Sequence, residues 1–198
     1  IYPSRYLKRY VEKTNDNVCA MLKGMKIQNG VLFLQAFVEN GEVRVYEPGF
    51  RLNGAQEHIL VSYVTGIDAK ELMINHAMSG KISDKNIADM ADPEFNGKWA
   101  CKLSPLVKEG KIARIDGLEE IKKIPGVISI NPSYEEGNVV EGKGTLRQIV
   151  CRFYVVCDTK LQLKETLDKI TNLLHVYNDE GEDMMLTPFD TDLILTRY

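Results

Sequence analysis

One stretch, VLFLQAFVENGEVRVYE at residues 31–47, constrains the fold more than any other part of the sequence. Two runs rich in β-branched and aromatic residues flank an Asn-Gly pair, which is the strongest short-range signal of a β-hairpin. The stretch therefore predicts two antiparallel strands joined by a tight turn at Asn40-Gly41. Because side chains alternate between the two faces of a hairpin, the turn type decides which of them can meet.

Gln35 and Glu47 are polar residues embedded in this apolar hairpin, and the loop length decides whether they share a face. A two-residue loop at Asn40-Gly41 would place them on opposite faces, whereas a three-residue loop with a bulge would place them on the same face. The three-residue loop sorts the apolar side chains more cleanly onto one face, so we favour it. Glu47 would then lie among apolar side chains, where a carboxylate needs a partner.

Two partners for Glu47 are open at this point. Arg51 follows it closely in the sequence and would make a purely structural ion pair at the end of a strand. A divalent cation is the alternative, because Mg²⁺ binds one or two carboxylates together with phosphate oxygens. The residues by themselves favour the ion pair. The second alternative would make the stretch VYEPGFRLNG, residues 45–54, one wall of a phosphate and metal site.

The remaining pattern predicts an α+β chain in two parts. Helical periods on both sides of the hairpin end at glycines, and the polar residues 83–96 predict a linker between a part at 1–82 and a part at 97–198. The second part alternates short strands with turn-forming residues. Its clearest helix follows Thr159, which forms the capping-box pattern with Gln162. Together these features predict a small α+β domain at 97–198.

Composition excludes several classes of function. The net charge of -3 and the pI of about 5.7 give no electrostatic basis for binding nucleic acid or an anionic membrane. No apolar run approaches the roughly 20 residues that span a bilayer. The 4 cysteines lack CxxC spacing, which argues against zinc and favours buried, reduced thiols in a cytoplasmic protein. Because the sequence begins at Ile1 rather than Met, we expect a piece of a longer protein.

The hairpin, the VYEPGFRLNG stretch and the later TGIDAKELMINHAMSGK resemble the closing part of an ATP-grasp catalytic domain. That superfamily includes biotin carboxylase, the carbamoyl-phosphate synthetase large subunit and the L-amino-acid ligases. The stretch EGKIARIDGLEEIKKIPGVISI and the helix ending in HVYNDEGEDM resemble the C-terminal domain of L-amino-acid ligases. The resemblance implies that residues 1–82 are the C-terminal portion of an ATP-grasp domain. It also implies that 97–198 is a small α+β domain of the amino-acid-ligase type.

The resemblance implies roles for individual residues. Gln35 and Glu47 match ligands of the metal ion on the ATP phosphates, and Arg51 matches the arginine that meets the reacting phosphate. Gly54 matches the glycine that opens the following helix beside the nucleotide. Gly49 departs from the pattern, because the family has an asparagine ligand there and glycine has no side chain to coordinate a metal.

The implied function is part of an ATP-dependent carboxylate–amine, or carboxylate–thiol, ligase that works through an acyl phosphate. ATP and Mg²⁺ or Mn²⁺ would be its cofactors, and a small carboxylate and an amine its substrates. The family's glycine-rich nucleotide loop does not occur in this sequence, so we expect a missing N-terminal ATP-grasp half and no activity without it. A homodimer is a further expectation. The departure at Gly49 leaves a non-catalytic homologue, acting in ligand binding or subunit association, as the alternative.

Overall fold

The computed structural model describes residues 1–198. The chain forms two compact units. Pro3–Asn96 forms the first unit, and Gly97–Tyr198 together with Ile1–Tyr2 forms the second. Every ladder in both units is antiparallel. The predicted α+β class, with antiparallel sheets and helices, is confirmed.

The first unit consists of one hairpin and short helices. In chain order its elements are α1 (Leu7–Lys13), α2 (Asn15–Gly24), β1 (Phe33–Glu39), β2 (Glu42–Gly49), α3 (His58–Thr65), α4 (Ala69–Ser79) and α5 (Ile87–Met90).

Local signals set the ends of these helices. Asp68 caps α4, because its carboxylate accepts hydrogen bonds from the backbone N–H groups of Lys70 and Glu71. Gly66 and Gly80 end α3 and α4 in the left-handed conformation, each with a φ of 73°. The predicted stops at both glycines are therefore confirmed.

Residues 83–96, which the sequence predicts to be a linker, lie within the first unit and include the short helix α5. Asn86 caps this helix through its side-chain oxygen, which accepts from the backbone N–H of Ala88. The assignment of residues 1–82 and 97–198 to two ligase domains stays a prediction.

The second unit is built on a three-stranded sheet. Its elements are β3 (Trp99–Leu103), β4 (Gly110–Lys111), β5 (Arg114–Asp116), α6 (Leu118–Ile121), β6 (Val127–Pro132), β7 (Val139–Val140), β8 (Cys151–Cys157), α7 (Lys160–Leu173), β9 (His175–Tyr177) and α8 (Leu193–Arg197). A single turn of 3₁₀ helix stands at Leu146–Gln148, and Phe95–Gly97 forms a left-handed turn in which all three residues have positive φ. The central strand β8 pairs with β3 on one side and with β6 on the other, while β4 pairs with β7 and β5 with β9.

Helix α7 packs on the sheet and closes the core of the second unit. Thr159 and Gln162 form the predicted capping box at its start. Leu163, Leu167 and Ile170 lie on one face of the helix and are fully buried. Removing each such side chain from water contributes about 1.5–3 kcal/mol, so this face holds the helix on the sheet.

The two edges of the three-stranded sheet are protected in different ways. At the β3 edge, Tyr2 exchanges two backbone hydrogen bonds with Ala100, of 2.7 and 2.9 Å. At the other edge, β6 carries a register shift between Val127 and Ser129 and ends at Pro132, which has no N–H to donate. Bulges and prolines are devices that stop an edge strand from pairing with another chain.

The 4 cysteines are free thiols, as the sequence predicts. Cys101, Cys151 and Cys157 are buried, whereas Cys19 is exposed. The expectation of burial is wrong for Cys19, because α2 buries none of its residues. None of the helices could span a lipid bilayer.

Candidate functional site

The turn of the β1–β2 hairpin is a two-residue loop. Glu39 pairs with Glu42, and Asn40 and Gly41 both have positive φ, of 51° and 78°. This conformation belongs to the primed turns, whose twist matches that of the flanking strands. The predicted three-residue loop is therefore wrong. An asparagine followed by glycine tolerates positive φ at both positions, and this local preference decides the turn.

A β-bulge farther along the hairpin nevertheless brings Gln35 and Glu47 together. The ladder continues from the turn to the pair Ala36–Val45, and then the register shifts so that Gln35 pairs with Glu47. Tyr46 is the extra residue that this shift leaves unpaired. Directly opposed residues of an antiparallel pair project to the same face. The predicted meeting of Gln35 and Glu47 is thus observed, but a bulge at Tyr46 produces it rather than the loop.

The face that carries this pair is open to solvent. Gln35 and Glu47 are both exposed, so the expectation that Glu47 lies among buried apolar side chains is wrong. Phe37 and Tyr46 are 64% and 53% exposed and stack on each other, with ring centroids 4.4 Å apart. The reason is topological: the hairpin is a two-stranded sheet, and no further strand of the first unit extends it.

The carboxylate of Glu47 has no hydrogen-bond or ion-pair partner. The ion pair with Arg51, which the residues alone favour, is not formed. Gln35 does have a partner, because the hydroxyl of Tyr46 donates a hydrogen bond to its Oε1 atom. A carbonyl oxygen has two lone pairs, so this bond leaves Gln35 able to accept a second contact.

Arg51 lies just beyond β2 and is held in three ways. Its guanidinium carbon stands 4.9 Å from the centroid of the Phe33 ring, within the range of a cation–π contact. Its Nη1 donates to the carbonyl of Leu52 at 3.0 Å, and its backbone N–H donates to the carbonyl of Gly49 at 3.0 Å. The guanidinium is exposed and keeps donors for an anion.

Gly49 lies directly opposite Phe33 in the ladder, and the aromatic ring occupies the space of a side chain at position 49. A Cβ atom added there would lie 2.1 Å from Cε1 of Phe33 and 2.2 Å from Cζ. An asparagine side chain cannot be accommodated without moving the ring. The departure from the family pattern at Gly49 therefore has a packing reason.

Gly54 lies in the loop before α3, which begins at His58. A Cβ atom added to Gly54 would meet no other atom within 4 Å, so packing alone does not require glycine here. The role that the resemblance implies for Gly54 beside the nucleotide stays a prediction.

The donor set at the hairpin fits one hard cation. The structure contains no group of three or more His, Cys, Asp or Glu residues placed to hold a metal ion. Gln35 and Glu47 offer an amide oxygen and an unpartnered carboxylate across the ladder. Mg²⁺ prefers oxygen ligands and is commonly held by one or two protein groups plus phosphates and water. These residues therefore fit a single ion that also binds a phosphate.

His58 is a half-buried polar residue of the first unit, at the first position of α3. Both of its ring nitrogens are buried without a hydrogen-bond partner. Burial lowers the pKa of His58, the charge of Lys70 lowers this pKa further, and Asp68 and Glu57 oppose the shift. The lowered pKa favours the neutral imidazole, and no hydrogen bond or ion pair joins His58 to the Gln35–Glu47 pair.

Sequence reasoning missed Phe33 and Tyr46. Both contact predicted site residues, since Phe33 underlies Arg51 and the Tyr46 hydroxyl binds Gln35. In the sequence they are ordinary aromatic residues of a strand. Their contacts depend on the bulge and on the glycine opposite Phe33, which the period-2 pattern does not reveal.

Comparisons with known proteins find one family model and solved ligases that are similar to this chain. Residues 105–179 match the family model described as L-amino acid ligase C-terminal domain 2. A solved L-amino acid ligase from Bacillus licheniformis superposes with a TM-score of 0.70 at 16% sequence identity, covering 90% of this chain and 43% of that protein. The chain resembles the C-terminal part of an ATP-grasp ligase.

A second solved structure supports the same ligase-type fold. The phosphoribosylglycinamide synthetase from Anaerococcus prevotii superposes with a TM-score of 0.66 at 18% identity, covering 90% of this chain and 44% of that protein. This chain thus spans less than half the length of either solved ligase. A search of curated protein sequences finds no match.

Proposed function

We propose that this chain supplies part of the Mg²⁺–ATP site of an ATP-dependent carboxylate–amine, or carboxylate–thiol, ligase that works through an acyl phosphate. The observation that carries the proposal is the direct pairing of Gln35 with an unpartnered Glu47, at the end of the hairpin that leads to Arg51. Exposed oxygen donors and a nearby guanidinium form a complementary environment for a metal-bound phosphate. The match of residues 105–179 to an L-amino acid ligase domain and the ligase-type fold of the chain support the same function.

The residues would have different roles according to their charge. Glu47 and Gln35 would hold Mg²⁺ or Mn²⁺, which neutralises the phosphate oxygens when it is bound. Arg51 would donate hydrogen bonds to the phosphoryl oxygens, where negative charge is spread in the transition state. Gly54 would let the backbone of the following loop approach the nucleotide. In this function the carboxylate oxygen attacks the γ-phosphorus with ADP as the leaving group, and the amine then attacks the acyl carbon and displaces phosphate.

The rest of the nucleotide site would come from an N-terminal ATP-grasp half. We expect such a half because the exposed face at Gln35 and Glu47 presents only one wall of a site. The chain by itself would then be inactive. The whole protein would be a cytoplasmic enzyme with a small carboxylate and an amine as substrates, and sizing by light scattering would test whether it is a homodimer.

Steady-state kinetics of the full-length protein tests the assignment. We expect Mg²⁺-dependent release of ADP when carboxylate and amine are supplied, and a loss on the order of 10²-fold in kcat for Glu47→Gln and for Arg51→Ala. The matched controls are Glu39→Gln and Arg44→Ala, which change an exposed ion pair of the same hairpin and should keep kcat within about twofold. Near-normal kcat in both site variants would refute the roles of Glu47 and Arg51.

A non-catalytic homologue is the second candidate, and one observation favours it. The Phe33 ring stands where the family has an asparagine side chain, so the asparagine ligand of the family is missing. Such a protein would bind Mg²⁺–ATP or a partner without turning ATP over. Two results with the full-length protein would favour this candidate over the ligase. Calorimetry would detect binding of ATP, and no ADP would be released with any amine tested.

A further inference from the structure

The base of the hairpin holds a matched pair of residues, Phe33 and Gly49. They are directly opposed in the antiparallel ladder, and the ring of Phe33 lies across the backbone of β2 where only glycine leaves room. Because of this overlap, one face of the half-buried ring is directed toward the segment that follows β2. Arg51 lies in that segment, and its guanidinium stands over the ring.

A second aromatic residue, Phe50, packs on a glycine without contacting a cation. The ring of Phe50 lies against Gly30 in a similar way, since a Cβ atom at Gly30 would come 2.1 Å from Cζ of Phe50. Phe50 has no cationic side chain over its ring. Packing on a glycine is therefore common to both aromatic residues, whereas the stacked guanidinium distinguishes Phe33.

Arg51 needs such a platform because its ion-pairing partner is absent. A long, exposed arginine loses rotamer freedom when it is fixed, and neither Glu47 nor another carboxylate fixes it. The aromatic face and the carbonyl of Leu52 restrict the guanidinium while consuming few of its donors. A cation–π contact attracts the charge without accepting N–H groups along their axes, so these groups stay available for an anion.

We propose that Phe33 is the positioning residue of Arg51, and that Gly49 is glycine so that Phe33 can take this place. Phe33 acts through the guanidinium and does not touch the substrate. The kinetic consequence rests on the function proposed above, whereas the placement of Arg51 over the ring does not.

The test compares Phe33→Leu, which keeps apolar bulk but removes the ring, with Phe33→Tyr, which keeps the ring. The matched control is Phe50→Leu, which removes the aromatic residue without a cation. In the full-length protein the Arg51 Nε–H proton should resonate upfield because of the ring, and Arg51→Lys identifies the signal. We expect the upfield displacement to persist in Phe33→Tyr and Phe50→Leu and to be lost in Phe33→Leu.

Kinetics supplies the second arm. An exposed cation–π contact of about 0.5–1 kcal/mol corresponds to a fall of roughly two- to fivefold in kcat for Phe33→Leu, with little change in KM for ATP. Phe33→Tyr should restore kcat, and Phe50→Leu should keep it. An unchanged Arg51 signal in Phe33→Leu, or equal losses of kcat in Phe33→Leu and Phe33→Tyr, would overturn the inference. A wild-type protein that releases no ADP would refute the proposed function and leave the spectroscopic arm decisive.

Discussion

Substituting Gly49 by alanine should have opposite effects on stability in two backgrounds. In the native background the new Cβ atom stands 2.1 Å from Cε1 of Phe33. Non-bonded carbons are comfortable at about 3.5–4.0 Å, so the ring must move by more than about 1 Å. Overpacking of this kind costs roughly 1–3 kcal/mol. Because the ring is only half buried and has some room to yield, we expect about 1–2 kcal/mol of destabilisation.

The effect of Gly49→Ala on stability should change sign once the ring of Phe33 is removed. In a Phe33→Ala background the same methyl group meets no ring, and Gly49 has no positive φ that alanine would strain. Replacing glycine by alanine at a compatible position then stabilises by about 0.4–1 kcal/mol, because the unfolded chain loses freedom. The two effects together predict a coupling of roughly 1.5–3 kcal/mol between positions 33 and 49.

Native-state hydrogen exchange of the β1–β2 ladder amides measures this coupling locally. Gly54→Ala is the matched control, since its Cβ atom would meet nothing, and it should be neutral or slightly stabilising. Trp99, the only tryptophan, lies in the second unit, so its fluorescence transition shows whether an effect extends beyond the hairpin. Equal effects of Gly49→Ala in both backgrounds, within about 0.5 kcal/mol, would refute the steric argument.

Two further predictions concern the titratable groups. Burial raises the pKa of Cys151 to about 12, so in the native protein at pH 8 the exposed Cys19 should react with a thiol reagent and Cys151 should not; rapid labelling of Cys151 would contradict its burial. Burial alone would raise the pKa of Asp168, but hydrogen bonds led by that of Lys164 lower it below its usual value. A depressed folded-state pKa gives stability that is present above the unfolded-state value near 3.9 and lost as the pH falls through the folded-state pKa. Acid titration of the Trp99 transition should show this loss in the wild type and a weaker dependence in Asp168→Asn, and equal acid dependence would refute it.

The sequence predicted best where the signals are local. Helix α7 carries its start signal within one element, and Thr159 and Gln162 form the capping box as expected. The Asn40-Gly41 signal is equally local and predicted the position of the turn, but the predicted loop length was wrong. The preference of Asn-Gly for positive φ at both positions outweighs the sorting of apolar side chains between the faces.

The wrong predictions concern contacts that the alternation of side chains in the sequence does not determine. Alternation predicts which side chains share a face, but the bulge at Tyr46 changes the alternation partway along the ladder. Alternation also does not determine whether other elements cover a face of the hairpin. The sequence therefore predicts a buried Glu47, whereas the structure shows it exposed. In the sequence, Gly49 indicates only that a metal ligand is missing. In the structure, Gly49 leaves the space that the ring of Phe33 occupies.

The pairing of Tyr2 with Ala100 has a consequence for how the chain assembles during synthesis. Tyr2 leaves the ribosome before its partner strand β3, which follows only after the whole of Pro3–Asn96 has been made. A nascent second unit that folds before Tyr2 docks would present a bare β3 edge. Such long-range pairings are slow to form. Expressing residues 97–198 without Tyr2 would leave that edge permanently bare and prone to edge-to-edge association.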